Sequence, residues 1–511
     1  MANNNNNDTI GIRMQDFVDG LNAVIWSPAL IYLCLGAGLF FSITTRFVQV
    51  RQLAEMARLL VTGHSSAKGI SSFQALTVSL SGRVGTGNIA GVAAAIGFGG
   101  PGAVFWMWMV AFLGAATSYI ECTLGQIYKE EFEGQYRGGP AYYIEKATGQ
   151  TWYAWLFAIV TIIACGILMP GVQSNSIGNA VDIAFGAGQT FNSVLGELSV
   201  AKSLTGVLIV FMLGFIIFGG VKRIAHFTQF VVPFMALSYI ILACTIIALN
   251  IEQLPAIFSM IMSDAFTPMA GVGAAIGWGV KRGVYSNEAG QGMGPHAGAA
   301  AEVRHPAQQG LVQAFAVYID TLFVCSATAF MILITGAYNV HGPGDTFLVS
   351  NIAADIAANS PAYTQAAVES VLPGVGNPFV AMALFFFSFT TILAYYYIAE
   401  TNVSYLQRHV KLKGLKLLLK LVVIASTLYG TVKTANLAWA LGDVGVGLMA
   451  WLNITGIIII FFIAKPAMKA LKDYECQQKA KVKKYSFNPK ALGIKNADFW
   501  QQRFNKESAE K

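Results

Sequence analysis

The chain has 511 residues, 55% of them hydrophobic and only 12% charged. A soluble domain carries about 25% charged residues, and the apolar runs here repeatedly reach the roughly 20 residues that cross a bilayer core. A soluble multidomain protein is excluded. The net charge of +7 matches the excess of 12 basic over 5 acidic residues after Ala464, so it marks one end of the chain and predicts no nucleic-acid partner. The six cysteines lie in apolar runs or the tail, none with metal-ligand spacing, which reads as buried free thiols.

Taken in order, Met1 to Asp8 is asparagine-rich and has no lysine or arginine. The first apolar run, about 23–45, has spanning length and ends in a basic segment, so it reads as a retained helix rather than a cleaved leader. Arg46 to Leu60 looks amphipathic and suits the inner surface. Ten further spans follow at about 72–98, 101–127, 152–185, 202–219, 227–250, 269–290, 308–338, 377–402, 417–433 and 435–464. The fold class is therefore an all-α multi-pass membrane protein with 11 transmembrane helices. The segments divide as 1–71, 72–250, 251–464 and a basic tail, 465–511.

Basic residues favour the cytoplasmic side. With the N-terminus outside, the inner loops and tail hold 27 of the 33 lysines and arginines. Only Arg13, Lys202 and Lys433 fall outside, and Arg83, Lys281 and Arg282 lie within spans. This places the chain in the cell's inner membrane with a cytoplasmic C-terminus, and predicts a solvated tail touching anionic lipid. The external stretch from Asn339 to Gly376 is long enough to act as a lid.

Two spans should not be ordinary helices. The second contains Ser81-Gly82-Arg83-Val84-Gly85-Thr86-Gly87-Asn88. Each glycine weakens a helix by about 1 kcal/mol, and an arginine at that depth costs about 3 kcal/mol on insertion scales. Non-helical backbone survives there only where protein or a cavity surrounds it. The seventh span holds the glycine-rich run Ala270 to Gly279. Each of these spans opens a set of five. Five is odd, so the two sets have inverted topology, and matching interruptions in two halves point to a transport site.

The run Gly99-Gly100-Pro101-Gly102-Ala103-Val104-Phe105-Trp106-Met107-Trp108 resembles the signature of the alanine/glycine:cation symporter family, the sodium:alanine symporters. Gly85-Thr86-Gly87-Asn88-Ile89-Ala90-Gly91 and Ser286-Asn287-Glu288-Ala289-Gly290 resemble two more of its motifs. The resemblance implies a LeuT-like fold of inverted five-helix repeats plus one preceding helix, and inward movement of alanine or glycine with co-transported sodium ion. Family members often continue the third motif with leucine and serine. Here Gln291, Met293 and His296 stand instead, which keeps a larger substrate such as glutamine open.

A zwitterionic substrate needs a partner for each charge. A half-helix starting near Thr86 offers free N–H groups and a positive dipole end. The carboxylate is expected at Gly85, Thr86 and Gly87, helped by the Asn88 amide. The ammonium is expected at carbonyls freed near Ile276 and Gly277, with Trp278 closing the space. Gln173 is a candidate for either end. The resemblance places sodium at the carbonyls of Ser81, Val84 and Phe387 and the hydroxyls of Thr390 and Thr391. The last three share a helix face at i, i+3 and i+4. Arg83 must turn from the ion toward Glu288, Asp320 or Glu400. Proton coupling through Glu121, Asp320 or Glu400 is the nearest rival. Metalloprotease, serine-hydrolase and P-loop motifs are absent, so no enzyme is expected, nor any obligatory protein partner beyond membrane lipid.

Overall fold

A computed structural model of the chain describes residues 2–60, 66, 68–193, 196–266, 272–344, 346–410, 413–432 and 434–509. Residues 269–271 of the seventh expected span, and Lys411, Lys433, Glu510 and Lys511 of the charge count, lie outside them.

Helix α1 (Ala2–Ile25) bends by 42° into α2 (Pro28–Thr44). Short helices α3 (Val48–Arg51) and α4 (Leu53–Leu60) run on to α5 (Ser72–Arg83), a π-turn at Gly87–Gly91 and α6 (Val92–Gly99). Next come α7 (Ala103–Ile127), α8 (Pro140–Thr148), α9 (Thr151–Ile163), α10 (Met169–Phe185), α11 (Val200–Ile217), α12 (Gly220–Leu249) and α13 (Leu254–Asp264). The second half begins with α14 (Val272–Asn287), α15 (Gly294–Ala300), α16 (Pro306–Val317) and α17 (Ser326–Thr335). It continues with α18 (Ala362–Val371), α19 (Gly376–Gln407), α20 (Leu415–Val432) and α21 (Ala435–Ala464), and ends in α22 (Pro466–Lys479) and α23 (Asp498–Ala509). Three antiparallel hairpins join helices.

Among the described residues, eight helices are long and apolar enough to cross a bilayer, and the bent pair α1/α2 makes a ninth. The second expected span is divided into two shorter helices, α5 and α6, whereas the seventh holds the single short helix α14, with α15 just beyond its end. Helices α9 and α10 form one continuous 35-residue span. The π-turn at Ala164–Leu168 precedes Pro170, which has no N–H for a regular ladder. Around these, α7 packs against α16, α14, α2 and α15, and α10 against α19, α20 and α21. Exposed Phe, Leu and Ile cover the outer faces of α11, α12 and α20, as lipid contact requires. The Asn339–Gly376 stretch folds as a hairpin and α18, and Ala358 lies against Gly97 at the end of α6.

The expectation of a wholly solvated tail needs correction. Lys481, Lys483 and Lys484 are exposed, but α22 and α23 dock on the bundle. Trp500 is 1% exposed and its indole N–H donates to the Gln126 carbonyl at 2.7 Å. Arg503 pairs with Glu302 at 2.7 Å, and Tyr474 donates to Glu55 of α4 at 2.5 Å. Aromatic residues scattered among the lysines supply an apolar face that the charge count hides. Lys129 lies fully buried beneath this tail, against the rings of Tyr136, Phe499 and Trp500, and donates to the Ala301 carbonyl at 2.9 Å. Burial outweighs the pull of Glu302 and brings its pKa down to about 7.

An undocked tail would expose Lys129 with an ordinary pKa. Between that value and about 7 the undocked state holds a proton that the docked state has lost, so docking strengthens as pH rises. Trypsin cleavage after Lys495 should therefore slow from about pH 7 to about pH 9 in the wild type relative to Lys129→Met. Parallel pH profiles for the two proteins would refute this coupling.

Candidate substrate and ion site

The helical ladder of α5 stops at Val84, whose backbone (φ −79°, ψ 88°) leaves the helix, and resumes at Gly87. Released N–H groups at membrane depth need protein acceptors. Gly85 N–H donates to Asn88 Oδ1 at 2.8 Å, and Thr86 N–H to Gln173 Oε1 at 3.0 Å. Gly85 sits where a Cβ would come within 2.5 Å of Thr391 Oγ1 and 2.9 Å of Gln173 Oε1, so only glycine lets the three elements meet. The Thr86 hydroxyl is buried with no partner.

The Thr391 hydroxyl lies 2.8 Å from the Ser81 carbonyl, 3.4 Å from that of Val84 and 2.9 Å from that of Phe387. One hydroxyl has a single proton to share among these three acceptors. The cluster is therefore rich in oxygen lone pairs, a donor set suited to a hard cation. Thr390 Oγ1 donates back to Phe387 O at 3.0 Å and lies 3.9 Å from the sulfur of Met235, to one side of the cluster. The structure thus brings Ser81, Val84, Phe387 and Thr391 to one point beside Gly85 and Gln173.

The second break is not where the glycine run placed it. Helix α14 continues unbroken through Ile276, Gly277 and Trp278, so their carbonyls stay in the ladder. Gly277 and Trp278 line a groove with Trp26 and Ile31 of the N-terminal helices, and Trp278 stacks on Phe98 at 4.7 Å. Gly279 serves close packing: a Cβ there would lie 2.5 Å from the Ala103 carbonyl. The break falls between α14 and α15, where Glu288, Gly290 and Gly292 take left-handed backbone (φ 59°, 85° and 80°). Gly292-Met293-Gly294-Pro295 is a turn signal that glycine density alone does not reveal. Tyr285 and Ser286, not Ile276 and Gly277, lie against Gly87.

Glu121 of α7 holds this second break. Its carboxylate accepts from Gly290 N–H at 3.2 Å, Gly292 N–H at 3.1 Å and the Asn453 amide at 2.7 Å. Asn453 also donates to the Gly290 carbonyl at 2.9 Å and accepts from the Tyr143 hydroxyl. Gln291 donates to the Val284 carbonyl at 2.5 Å, and His296 contacts Asn402 at 2.9 Å. Gln291 therefore serves the break itself, and His296 ties α15 to α19. Arg83 donates to the Gln313 carbonyl at 2.9 Å and to Ser118 at 3.2 Å, with Glu288 at 3.9 Å. Glu400 is taken by Arg137, at 2.6 and 2.9 Å. Asp320 accepts from Asn88 at 2.6 Å, Ser286 at 3.0 Å and Thr321 at 2.7 Å. The Asn88 side chain is thus spent on Gly85 and Asp320.

Both approaches to the breaks are closed. On the α6 side, Arg282 makes a two-pronged pair with Asp443 at 3.0 and 2.7 Å, and Lys281 joins it at 2.6 Å. The Arg282 guanidinium stacks on Trp439 at 4.5 Å. On the α5 side, only about 10 Å³ remains among Gly82, Glu288, Met293 and Tyr397, scarcely room for one water.

The profile of the sodium:alanine symporter family matches residues 12–489. The chain belongs to this family. Within it, the chain is 59% identical over 499 residues to YrbD of Bacillus subtilis (strain 168), provisionally named a sodium/proton-dependent alanine carrier; 97% of this chain and 99% of that one are covered. It is 49% identical to the sodium/proton-dependent alanine carrier protein of Bacillus sp. (strain PS3), covering 88% and 98%. Its fold is similar to that of MhsT solved with L-phenylalanine, with a TM-score of 0.53 at 13% identity over 80% of this chain and 99% of that one. The family is one of transporters, which sets aside the membrane-enzyme reading.

Glu121 and Asp320, acids at membrane depth, thus join the site with Tyr285 and Ser286, none of which stands among the site residues expected from the sequence. Glu121→Gln replaces an acceptor oxygen with a donor facing N–H groups, and a buried unmet donor costs about 1–3 kcal/mol. A cysteine placed at Ala289 should then react faster with a thiol reagent than in the parent. An unchanged labelling rate would remove Glu121 from this role.

Proposed function

We propose that the protein carries a small neutral amino acid, alanine or glycine, into the cell together with sodium, by alternating access around the two broken helices. The observation that carries this reading is the meeting of three carbonyl oxygens with the Thr391 hydroxyl at the first break. The ion sits among Ser81, Val84, Phe387 and Thr391, with Thr390 steadying the Phe387 carbonyl. Beside it, the unpartnered Thr86 hydroxyl, the Gly87 end of the outer half-helix and the Gln173 amide take the substrate carboxylate. The ammonium faces Tyr285 and Ser286 in place of the carbonyls of Ile276 and Gly277. Gly85 and Gly87 leave little width, which favours a methyl side chain or none.

Counted as one broken span each, the divided helices bring the total to eleven: one preceding helix and inverted repeats at 72–250 and 251–464. The N-terminus is outside and the tail cytoplasmic, so the Arg282–Asp443 pair closes the outer path and the Gly82–Glu288 contact the inner one. A reporter fused after Lys511 should be active only inside the cell.

Proton coupling is the second reading. It is favoured by the buried Asp320 carboxylate between Asn88 and Ser286 and by the sodium/proton-dependent names of the relatives. Uptake of labelled alanine into proteoliposomes decides between them. A sodium gradient should drive accumulation at every pH tested, whereas accumulation driven by a pH gradient alone would favour the second.

Thr391→Ala should raise the half-saturating sodium concentration about tenfold, the equivalent of about 1.4 kcal/mol. Thr390→Ala should raise it less, because its hydroxyl stands aside. The reverse order would displace the ion from Thr391. Competition against alanine uptake should rank alanine and glycine first, then serine, then larger residues. The ranking should be graded, since one methylene is worth only about 1–3 kcal/mol. Stronger competition by glutamine would mean a wider pocket than Gly85 and Gly87 leave.

A further inference from the structure

On the tail side of the bundle, α2 ends at Thr44 and α21 at Ala464, and the chain turns sharply after both. Arg46 and Lys465 take left-handed backbone there (φ 56° and 51°). Glycine would make either turn without strain, yet both positions carry a cation. Between the two helix ends lies a groove of about 430 Å³, lined by these two residues with Thr44, Met468, Lys469 and Lys472. Glu475 also reaches the groove, but it is paired with Arg51 at 2.7 Å. Arg46, Lys465 and Lys472 are exposed, and no ion pair joins any of them to an acid among the described residues. Toward the apolar middle of the spans the groove meets a phenylalanine cluster. Phe40 packs on Phe461 at 4.9 Å and on Phe462 at 5.9 Å. Ile43, Phe462 and Ile463 turn outward, exposed on the bundle's side, where a membrane protein meets acyl chains.

We propose that this groove binds an anionic phospholipid, its phosphate held by Arg46, Lys465 and Lys472 and its acyl chains laid over Phe462 and Ile463. Three uncompensated cations at the end of two spans stand at headgroup height, where basic pockets between helices take lipid phosphates. The exposed aromatic and aliphatic side chains below them are what separates a lipid from a free anion, which would have no use for them. Lys469 is drawn to the other side, donating to the Gly493 carbonyl at 3.2 Å. The lipid thus spans the preceding helix, the last membrane helix and the start of the docked tail.

The test is the melting midpoint of the full-length protein in neutral detergent, on addition of phosphatidylglycerol, phosphatidylcholine or inorganic phosphate. A ligand that binds only the folded state raises the midpoint. Phosphatidylglycerol should raise it by several degrees more than phosphatidylcholine, and phosphate should leave it unmoved. Arg46→Gln/Lys465→Gln/Lys472→Gln should lose the difference between the two lipids. Lys481→Gln/Lys483→Gln/Lys484→Gln, which removes as much charge from the exposed part of the tail, should keep it. Should the first triple variant not fold, Lys472→Gln alone, whose side chain carries no structural bond, should still reduce the difference. Equal shifts by the two lipids, equal loss in the tail variant, an unreduced difference in Lys472→Gln, or an equal shift by phosphate would each overturn the proposal. The readout needs no transport.

Discussion

Backbone groups released at membrane depth find no water, so each must meet a protein group or a cargo. Two helices are interrupted here, and much of the surrounding chemistry answers that demand. At the first break Asn88 and Gln173 accept the loose N–H groups of Gly85 and Thr86. The loose carbonyls of Ser81 and Val84 crowd on one hydroxyl of α19. At the second, one carboxylate of α7 and one amide of α21 take Gly290 and Gly292. The N–H side is supplied by fixed side chains, while the carbonyl side is left with more lone pairs than protons. That imbalance is what a cation can correct, and at the proposed ion site it would tie ion binding to the geometry of α5 against α19.

The charged groups around the breaks divide by the same logic. A buried pair is weak evidence for stability, but removing one partner leaves the other stranded at a cost of about 3–5 kcal/mol. Arg83 escapes this because a carbonyl and a hydroxyl hold it alongside Glu288. Asp443 instead carries two cations, Lys281 and Arg282, which join α14 to α21 across the approach on the α6 side. Opening that side therefore means hydrating three charges together, which makes closure a discrete event rather than a gradual one.

How much of this was legible in the sequence depended on what kind of signal each part left. Apolar length located the helices within a few residues, because the bilayer demands it. Gly85-Thr86-Gly87-Asn88 located the first break because an arginine and two polar residues accompany its glycines. Glycine density misplaced the second. In the run Ala270–Gly279 it is Gly279 that packs against Ala103 and Trp106 of α7, and nothing in the run itself says so. Glu288 to Pro295 breaks the helix with fewer glycines but with positive φ at three of them or their neighbours. The Thr391 cluster followed from family resemblance. The parts played by Glu121 and Asp320 depend on distant elements, α7 against the second break and the π-turn Tyr318–Cys325 against Asn88, and no local pattern carries such pairings.

The docked tail bears on how the molecule is made. A chain leaves the ribosome N-terminal end first, so the membrane helices have been made before Phe499, Trp500 and Arg503 emerge. Until then Lys129 lacks its cover of Phe499 and Trp500, and Glu302 lacks Arg503. The tail-side face is therefore unfinished for as long as translation lasts. A chain cut short before α23 would still hold every membrane helix yet leave that face open, and quality control would have a stretch of bare aromatic and charged surface by which to tell it from one that carries the docked tail.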